Sequence, residues 1–185
     1  MSISVGIFLA PGFEEIEAIT AIDILRRASM TVTSIGTVNG PLTASRQTVH
    51  LADCGIEEAL EKSWDLLILP GGVEGTKNLL NDERVQKRVR HHAQQGKWIA
   101  SLCAAPTVLD AWGILEGKTF TAHPSVQKTI KTEGLRGSER VVVSGRLITS
   151  LAAGSAMEFA YEIVRQLMGE EAVRQVEQGV YSGLV

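Results

Sequence analysis

The sequence predicts an α/β protein with a mostly parallel sheet covered by helices on both faces. Short apolar runs of strand length occur at residues 3–9, 65–69 and 98–102, stretches of helical periodicity lie between and after them, and each run stops abruptly at its end. A strand buried on both faces reads as unbroken apolar sequence, whereas a strand wetted on one face alternates apolar and polar residues. These runs do not alternate, so helices are expected above and below them.

The elements follow in order along the chain. Residues 3–9 make the first strand, ended by Pro11-Gly12, and residues 14–28 then place Ile16, Ile19, Ile22, Ile24, Leu25 and Ala28 at helical spacing. Residues 30–35 form a second strand, followed by a loop through Asn39-Gly40-Pro41 and a short strand at 48–51, where His50 has no evident partner. Residues 65–69 form a third strand, stopped by Pro70-Gly71-Gly72. Polar helical sequence covers residues 82–95, with Gly96 as its stop, and His91 and His92 are expected to be solvated on it. The strand at 98–102 leads into Cys103 and a small-residue helix over 104–109, where Pro106 is tolerated because the first turn has no use for its missing N–H. A strand at 118–121 follows, then a hairpin pairing 140–143 with 146–150 through Ser144-Gly145. The amphipathic helix over 155–168 carries Met157, Ala160, Tyr161, Val164 and Leu167 on one face. No repeat, low-complexity tract or linker interrupts this order, so residues 1–185 are expected to form one domain.

Composition narrows the function classes. The chain is 44% hydrophobic and 21% charged with a formal net charge of −3, and it has no basic block, which argues against nucleic acid or an anionic membrane as partner. No apolar run approaches the roughly 20 residues of a membrane span. The start shows no basic n-region or small-residue cleavage site, and two cysteines make no disulfide framework, so a cytoplasmic location is expected. The first strand-to-helix turn lacks G-x-G-x-x-G, and no Walker-type lysine, Cys-x-x-Cys or His-x-x-x-His motif occurs. The expectation is an activity that needs no cofactor and no metal.

In parallel sheets the reactive groups gather beyond the carboxyl ends of the strands. That rule brings the turns at residues 10–17, 70–75 and 103–106 to one rim, with His123-Pro124 as a fourth contributor. Cys103 stands at a strand-to-helix corner, where free N–H groups and the positive helix end are expected to lower the thiol below its usual ~8.5. The competing reading is a buried structural cysteine. Glu14 and Glu15 suit compensation of the helix dipole, whereas Glu17 can point inward as a buried proton donor and acceptor. The paired glycines Gly71 and Gly72 let backbone N–H groups face a ligand. His123 is the only histidine at an expected strand end, hence the candidate partner for Cys103. Cys54, beside Asp53, is expected to be an inert loop thiol.

Gly12-Phe13-Glu14-Glu15-Ile16-Glu17-Ala18, Leu69-Pro70-Gly71-Gly72, Leu102-Cys103-Ala104-Ala105-Pro106 and Ala122-His123-Pro124 stand in an order and spacing that resemble the ThiJ/PfpI superfamily. Within it they are most similar to the branch of the Parkinson's-linked protein deglycase and its bacterial relatives. The likeness extends over nearly the whole chain, including Ser45-Arg46 and Gly154-Ser155. It implies a flavodoxin-like three-layer α/β/α sandwich and a homodimer. It implies Cys103 as nucleophile and redox-active thiol, Glu17 as the protonated glutamate bonded to it, and His123 as a nearby imidazole. The backbone of Gly72 and Ala104, with Gly71, would form an anion-binding hole, and Arg46 and Arg27 would lie near the site or the dimer contact. The implied activity is a cofactor-independent glyoxalase or deglycase acting on methylglyoxal, glyoxal or their protein and thiol adducts. The alternative is a redox sensor or holding chaperone switched by oxidation of Cys103, with an intracellular peptidase a distant third because Ala104, not histidine, follows Cys103. Two departures stand out. Leu151-Ala152-Ala153-Gly154 replaces the frequent Arg-Gly-Pro-Gly, and Ser101 replaces isoleucine or alanine beneath the thiol.

Overall fold

Strand β1 (Ser4–Leu9) runs in the interior of a seven-stranded sheet and is followed by helix α1 (Glu15–Arg27) and β2 (Thr31–Gly36). The computed structural model describes residues 2–184. A small ribbon of β3 (Leu42–Thr43) and β4 (Val49–His50) precedes the edge strand β5 (Cys54–Gly55), α2 (Ile56–Leu60) and β6 (Leu66–Leu69). Helices α3 (Val73–Asn81) and α4 (Glu83–Gln94), strand β7 (Trp98–Leu102), and helices α5 (Pro106–Ala111) and α6 (Pro124–Gln127) come next. The hairpin β8 (Val141–Ser144) and β9 (Leu147–Ser150), a short 3-10 turn (Ala153–Ser155), α7 (Ala156–Met168) and α8 (Glu170–Val180) complete the order.

The sheet order is β5-β2-β1-β6-β7-β9-β8, parallel except for the β8–β9 pair at the edge. Alternate residues of each strand feed two separate cores. On one face Val5, Ile7, Leu9, Ala100 and Leu102 pack with Leu25 of α1 and Phe159 and Val164 of α7. On the other, Phe8, Leu67, Leu69 and Ile99 pack with Val85 and Val89 of α4 and Val108 of α5. The strands are unbroken apolar runs because helices cover them on both sides. Among the described residues no helix is long and apolar enough to cross a membrane.

The structure departs from the sequence expectations at definite places. Residues 118–121 are not a sheet strand. Phe120 makes one isolated bridge to Leu135, and the Thr121 N–H is held by the Thr149 hydroxyl of β9 at 2.9 Å and not by a strand ladder. The short strand at 48–51 belongs to the separate β3–β4 ribbon, and Cys54, expected in a loop, is buried in edge strand β5 opposite Ile35. Helices α2, α3, α6 and α8 have no counterpart among the elements the sequence predicts, α6 being a single turn with no buried side chain. The other three bury only two side chains each, too few for a visible period: Ile56 and Ala59 in α2, Thr76 and Leu79 in α3, Val173 and Val176 in α8. Helix α1 reverses part of its expected stripe, for Ile16 and Ile19 are exposed while Glu17, Ala18 and Ala21 are buried.

His92 is a further correction. It is not solvated but fully buried, with Nε2 2.9 Å from the Trp98 carbonyl and Nδ1 without a partner. Burial pulls its pKa down from 6.5 to about 4. The unfolded chain therefore takes up a proton as pH falls through 6.5, while the folded state resists until about 4, so folding stability is lost across that window. Between pH 7 and pH 4.5 the urea-unfolding free energy is expected to fall by about 2–3 kcal/mol less in His92→Gln than in the native chain. Equal acid sensitivity of the two would show that His92 is not the buried base described here.

Candidate active site

Cys103 follows directly on the carboxyl end of β7 and holds φ at 61°, in the left-handed region that residues other than glycine rarely adopt. Such a conformation costs roughly 1–3 kcal/mol and persists only where neighbours fix it. Here the Cys103 N–H donates to the Ser150 carbonyl at 2.9 Å, and the Cys103 carbonyl accepts the His123 N–H at 2.8 Å. The strained corner lifts the thiol out of the strand and towards the rim. Sequence reading placed the thiol at this corner but had no signal for the strain beyond the small Ala104 and Ala105 that follow.

Glu17 meets it from the first turn of α1. Glu14 caps that helix by accepting the Glu17 N–H at 3.0 Å, which turns the Glu17 side chain inward, where it is fully buried. Its Oε2 accepts the Gly71 N–H at 2.7 Å, and its Oε1 is buried with no well-formed partner. The carboxyl faces the Cys103 thiol. Burial raises Glu17 to about 7, with the Glu14 charge adding and the bonds from Cys103 and Gly71 opposing. Burial likewise pushes the Cys103 thiol up to about 12, the facing Glu17 charge adds to it, and the Ala104 and Gly72 N–H groups pull it down. The expectation of a thiol lowered by a helix end is therefore corrected. Helix α5 has only six residues and starts three positions later, so its field does not outweigh desolvation and a facing carboxylate.

The two groups titrate as one system. The pair releases its first proton near neutral pH and retains the second. When that proton sits on Glu17, the sulfur is a thiolate facing the Gly72 and Ala104 N–H groups. Gly71 takes a different part from the one expected, because its N–H is spent on Glu17 and is not free for a ligand anion. It must nonetheless be glycine: a Cβ there would lie 2.7 Å from Glu17 Oε2 and 2.8 Å from the Cys103 Cβ. Gly72 has φ of 92°, and a Cβ on it would come within 2.4 Å of the Gly12 carbonyl oxygen.

The thiol opens onto a cavity of about 590 Å³ lined by Gly72, Cys103, Ala104, His123, Arg46 and Glu14, among others. His123 reaches it as the N-cap of α6, its Nδ1 accepting the Ser125 N–H at 3.2 Å and lying 2.8 Å from the Ser125 hydroxyl. That leaves Nε2 as the ring nitrogen available to a bound oxygen. No side-chain hydrogen bond joins His123 to Cys103. The link is through the backbone. Arg46 is held by Glu15, which accepts the Arg46 N–H at 2.7 Å and the Ser45 and Thr48 hydroxyls at 2.9 and 3.0 Å. Those bonds outweigh a desolvation penalty and lower Glu15 to about 2, so it is a clamp on this loop as well as a helix-dipole residue. Arg27 lies at the other end of α1, roughly 15 Å from Glu17 at 1.5 Å per residue. It pairs with Asp23 and does not line the cavity.

The two departures from the family pattern have local consequences. Ser101 is buried with its hydroxyl unpartnered. The loop at 151–154 is held without Pro-Gly: Arg140 Nη2 donates to the Gly154 carbonyl at 2.6 Å while pairing with Glu158, and Ser155 Oγ bonds the Ala152 carbonyl at 2.8 Å.

A strained cysteine, a buried glutamate against Pro-Gly-Gly, and a histidine brought in by the backbone form one constellation. The DJ-1/PfpI family pattern matches residues 3–166. The chain belongs to the DJ-1/PfpI family. Protein dj-1beta of Drosophila melanogaster is 37% identical over 182 residues, 97% of each chain. The glutathione-independent glyoxalase DJR-1.2 of Caenorhabditis elegans is 33% identical over 159 residues, 85% of this chain and 84% of that one. The oxidized DJ-1 of Toxoplasma gondii superposes with a TM-score of 0.94 at 30% identity, covering 98% of this chain and 100% of that one. The fold of this family is thus the flavodoxin-like sandwich expected from the sequence.

The coupling between acid and thiol has a measurable sign. The Cys103 thiol lowers Glu17 by donating to it, so its removal raises the carboxyl further. Carbon-13 NMR of the Glu17 carboxyl is expected to show a midpoint near pH 7 in the native chain and a higher one in Cys103→Ala. A midpoint near the ordinary glutamate value of ~4.3 would contradict the buried geometry.

Proposed function

We propose that this DJ-1/PfpI protein is a cofactor-independent glyoxalase-type enzyme that converts methylglyoxal or glyoxal, free or as adducts, into the corresponding hydroxy acid. The observation that carries this reading is the Glu17–Cys103 pair: a carboxyl with pKa about 7, fully buried, facing a thiol at the floor of a cavity of about 590 Å³. An isomerisation of a dicarbonyl needs a nucleophile for the aldehyde and a base that can take and return a proton at neutral pH. One buried pair supplies both.

In the proposed sequence the Cys103 sulfur forms a bond to the aldehyde carbon, and the carbonyl oxygen takes the proton held by Glu17, giving a hemithioacetal. Glu17, now ionised, removes the hydrogen of that carbon as a proton, and the electron pair moves through the adjacent ketone to its oxygen, giving an enediolate. Return of that proton from Glu17 to the former ketone carbon, with the hydroxyl proton of the former aldehyde carbon passing to the neighbouring oxygen, yields a thioester, which water hydrolyses to lactate and free thiol. The aldehyde carbon is oxidised and the ketone carbon reduced, so no outside oxidant is required. The Gly72 and Ala104 N–H groups stabilise the oxyanion, and His123 Nε2 and Arg46 orient the second oxygen from the mouth. Val73 is exposed at the lip, leaving the mouth open to adducts carried on a larger molecule.

A second reading rests on the same thiol, which stands partly open to the cavity beside two N–H donors. Oxidation to sulfinate would place an anion against those donors and a protonated Glu17, making a redox sensor. The deciding experiment incubates reduced protein with methylglyoxal and measures lactate. Turnover is expected, rising with pH through about 7 as the pair loses its first proton. It should fall by about 10²-fold or more in Glu17→Gln and vanish in Cys103→Ser. No lactate, with rapid peroxide oxidation of Cys103, would reject the enzyme and favour the sensor.

We also propose a homodimer formed through the outer face of α1 and the β3–β4 ribbon. Ile16, Ile19, Val49 and Leu51 are exposed there, Leu51 at 74%, and Glu15 ties the ribbon to the helix. Such an adjoining apolar patch is expected to be covered in solution. Analytical ultracentrifugation should give a dimer for the native chain and a monomer for Ile16→Glu/Val49→Glu. A native monomer would exclude this interface.

A further inference from the structure

A second cavity, of about 560 Å³, lies at the amino ends of β7 and β9. This is the opposite pole of the sheet from Cys103, roughly 13 Å along β7 at 3.3 Å per residue. Its walls are apolar, with Ile99, Trp112 and Leu147 among them, and its rim carries Arg90, Lys118 and Arg146. No carboxylate lines it, although the chain as a whole is acidic at −3. Glu116, with Oε1 3.6 Å from where a Gly113 Cβ would be, lines a neighbouring cleft.

The rim cations are unpaired. Nine ion pairs occupy other arginine and lysine side chains of the described residues, but none involves Arg90, Lys118 or Arg146. None of the three donates a side-chain hydrogen bond within the protein, whereas Lys97 on the same rim is committed to the Ser63 hydroxyl and the Trp64 carbonyl, both at 2.9 Å. Lys118 Nζ lies 4.0 Å from where a Gly145 Cβ would be, next to Arg146 in the β8–β9 turn. Two like charges therefore rise from neighbouring segments at one rim of the cavity, where an anion between them is favoured. Trp112 also lines the cavity. It is nearly buried, yet its indole N–H keeps access to solvent and has no acceptor among the described residues, whereas the buried Trp64 donates to the Ala59 carbonyl at 3.2 Å.

We infer that this cavity is a binding site for a small amphiphilic anion, with a ring-sized apolar body against Trp112, Ile99 and Leu147 and a phosphate or carboxylate between Lys118, Arg146 and Arg90. Its volume falls within the usual range for small-molecule sites, and guanidinium groups grip such heads through paired N–H donors. The site is independent of the thiol chemistry, and a ligand there would bind whether or not Cys103 is oxidised.

The test titrates reduced full-length protein with 1-naphthyl phosphate by calorimetry, with 1-naphthoate as the carboxylate arm. Saturable one-site binding of either is expected, weakened at least tenfold in Lys118→Gln/Arg146→Gln and unchanged in Arg46→Gln. In parallel, the indole N–H resonance of Trp112 should shift on titration while that of Trp64 stays in place, a readout that needs no variant to fold. Absence of saturation with both probes, retained affinity in the double variant, or loss in Arg46→Gln, which would put the anion in the Cys103 cavity, would each overturn the inference.

Discussion

A carboxyl group with no access to water sits where two strand ends and a helix start converge. Glu17 is held there by one bond from the Gly71 N–H and by the Cys103 thiol, and almost every other feature of the rim serves that arrangement. Glu14 caps the helix and turns Glu17 inward. Gly71 lacks a side chain because the carboxylate and the thiol already fill its space. Cys103 tolerates a left-handed backbone because Ser150 and His123 bond it on both sides. Remove the buried acid and the strained corner keeps its shape but loses the partner that makes its sulfur useful.

The electrostatics of the pair show how burial can serve chemistry without a nearby cation. An exposed thiol is tuned by positive neighbours. This one is desolvated and faces an acid, so its own ionisation is pushed up while that of the acid is brought to neutral pH. A single shared proton then does what two separately tuned groups would otherwise do. Sequence reasoning credited the helix end with that tuning. The six-residue helix α5 is too short and too displaced to provide it.

The two poles of the sheet differ in kind. At the carboxyl ends, backbone N–H groups, a carboxyl and a thiol converge, as expected for reactive groups in parallel sheets. At the amino ends, unpaired cations stand over an apolar floor with no carboxylate in its lining. The loop from 118 to 123 joins them, with Lys118 at one cavity and His123 at the other. A strand there would have fixed that path into the sheet. The observed loop, with its single bridge at Phe120, leaves it free to span both ends.

What the sequence determined by itself was the periodic and the local. Unbroken apolar runs announced a sheet covered on both faces. The strand-end positions of Cys103 and Pro70-Gly71-Gly72, and the Glu17 turn, put the reactive groups on one rim, because chain direction alone decides which ends of parallel strands meet. Tertiary structure decided what depends on contacts between distant segments. It buried Glu17 and exposed Ile16, a reversal that no helical period reveals, since the choice of face rests on what packs against it. It buried His92 against Trp98, spent the Gly71 N–H on a carboxylate, and brought Lys118 to the β8–β9 turn that carries Arg146. Short helices such as α2 and α8 also escaped the sequence, because two buried side chains make no period, and only the surface they cover shows that they form.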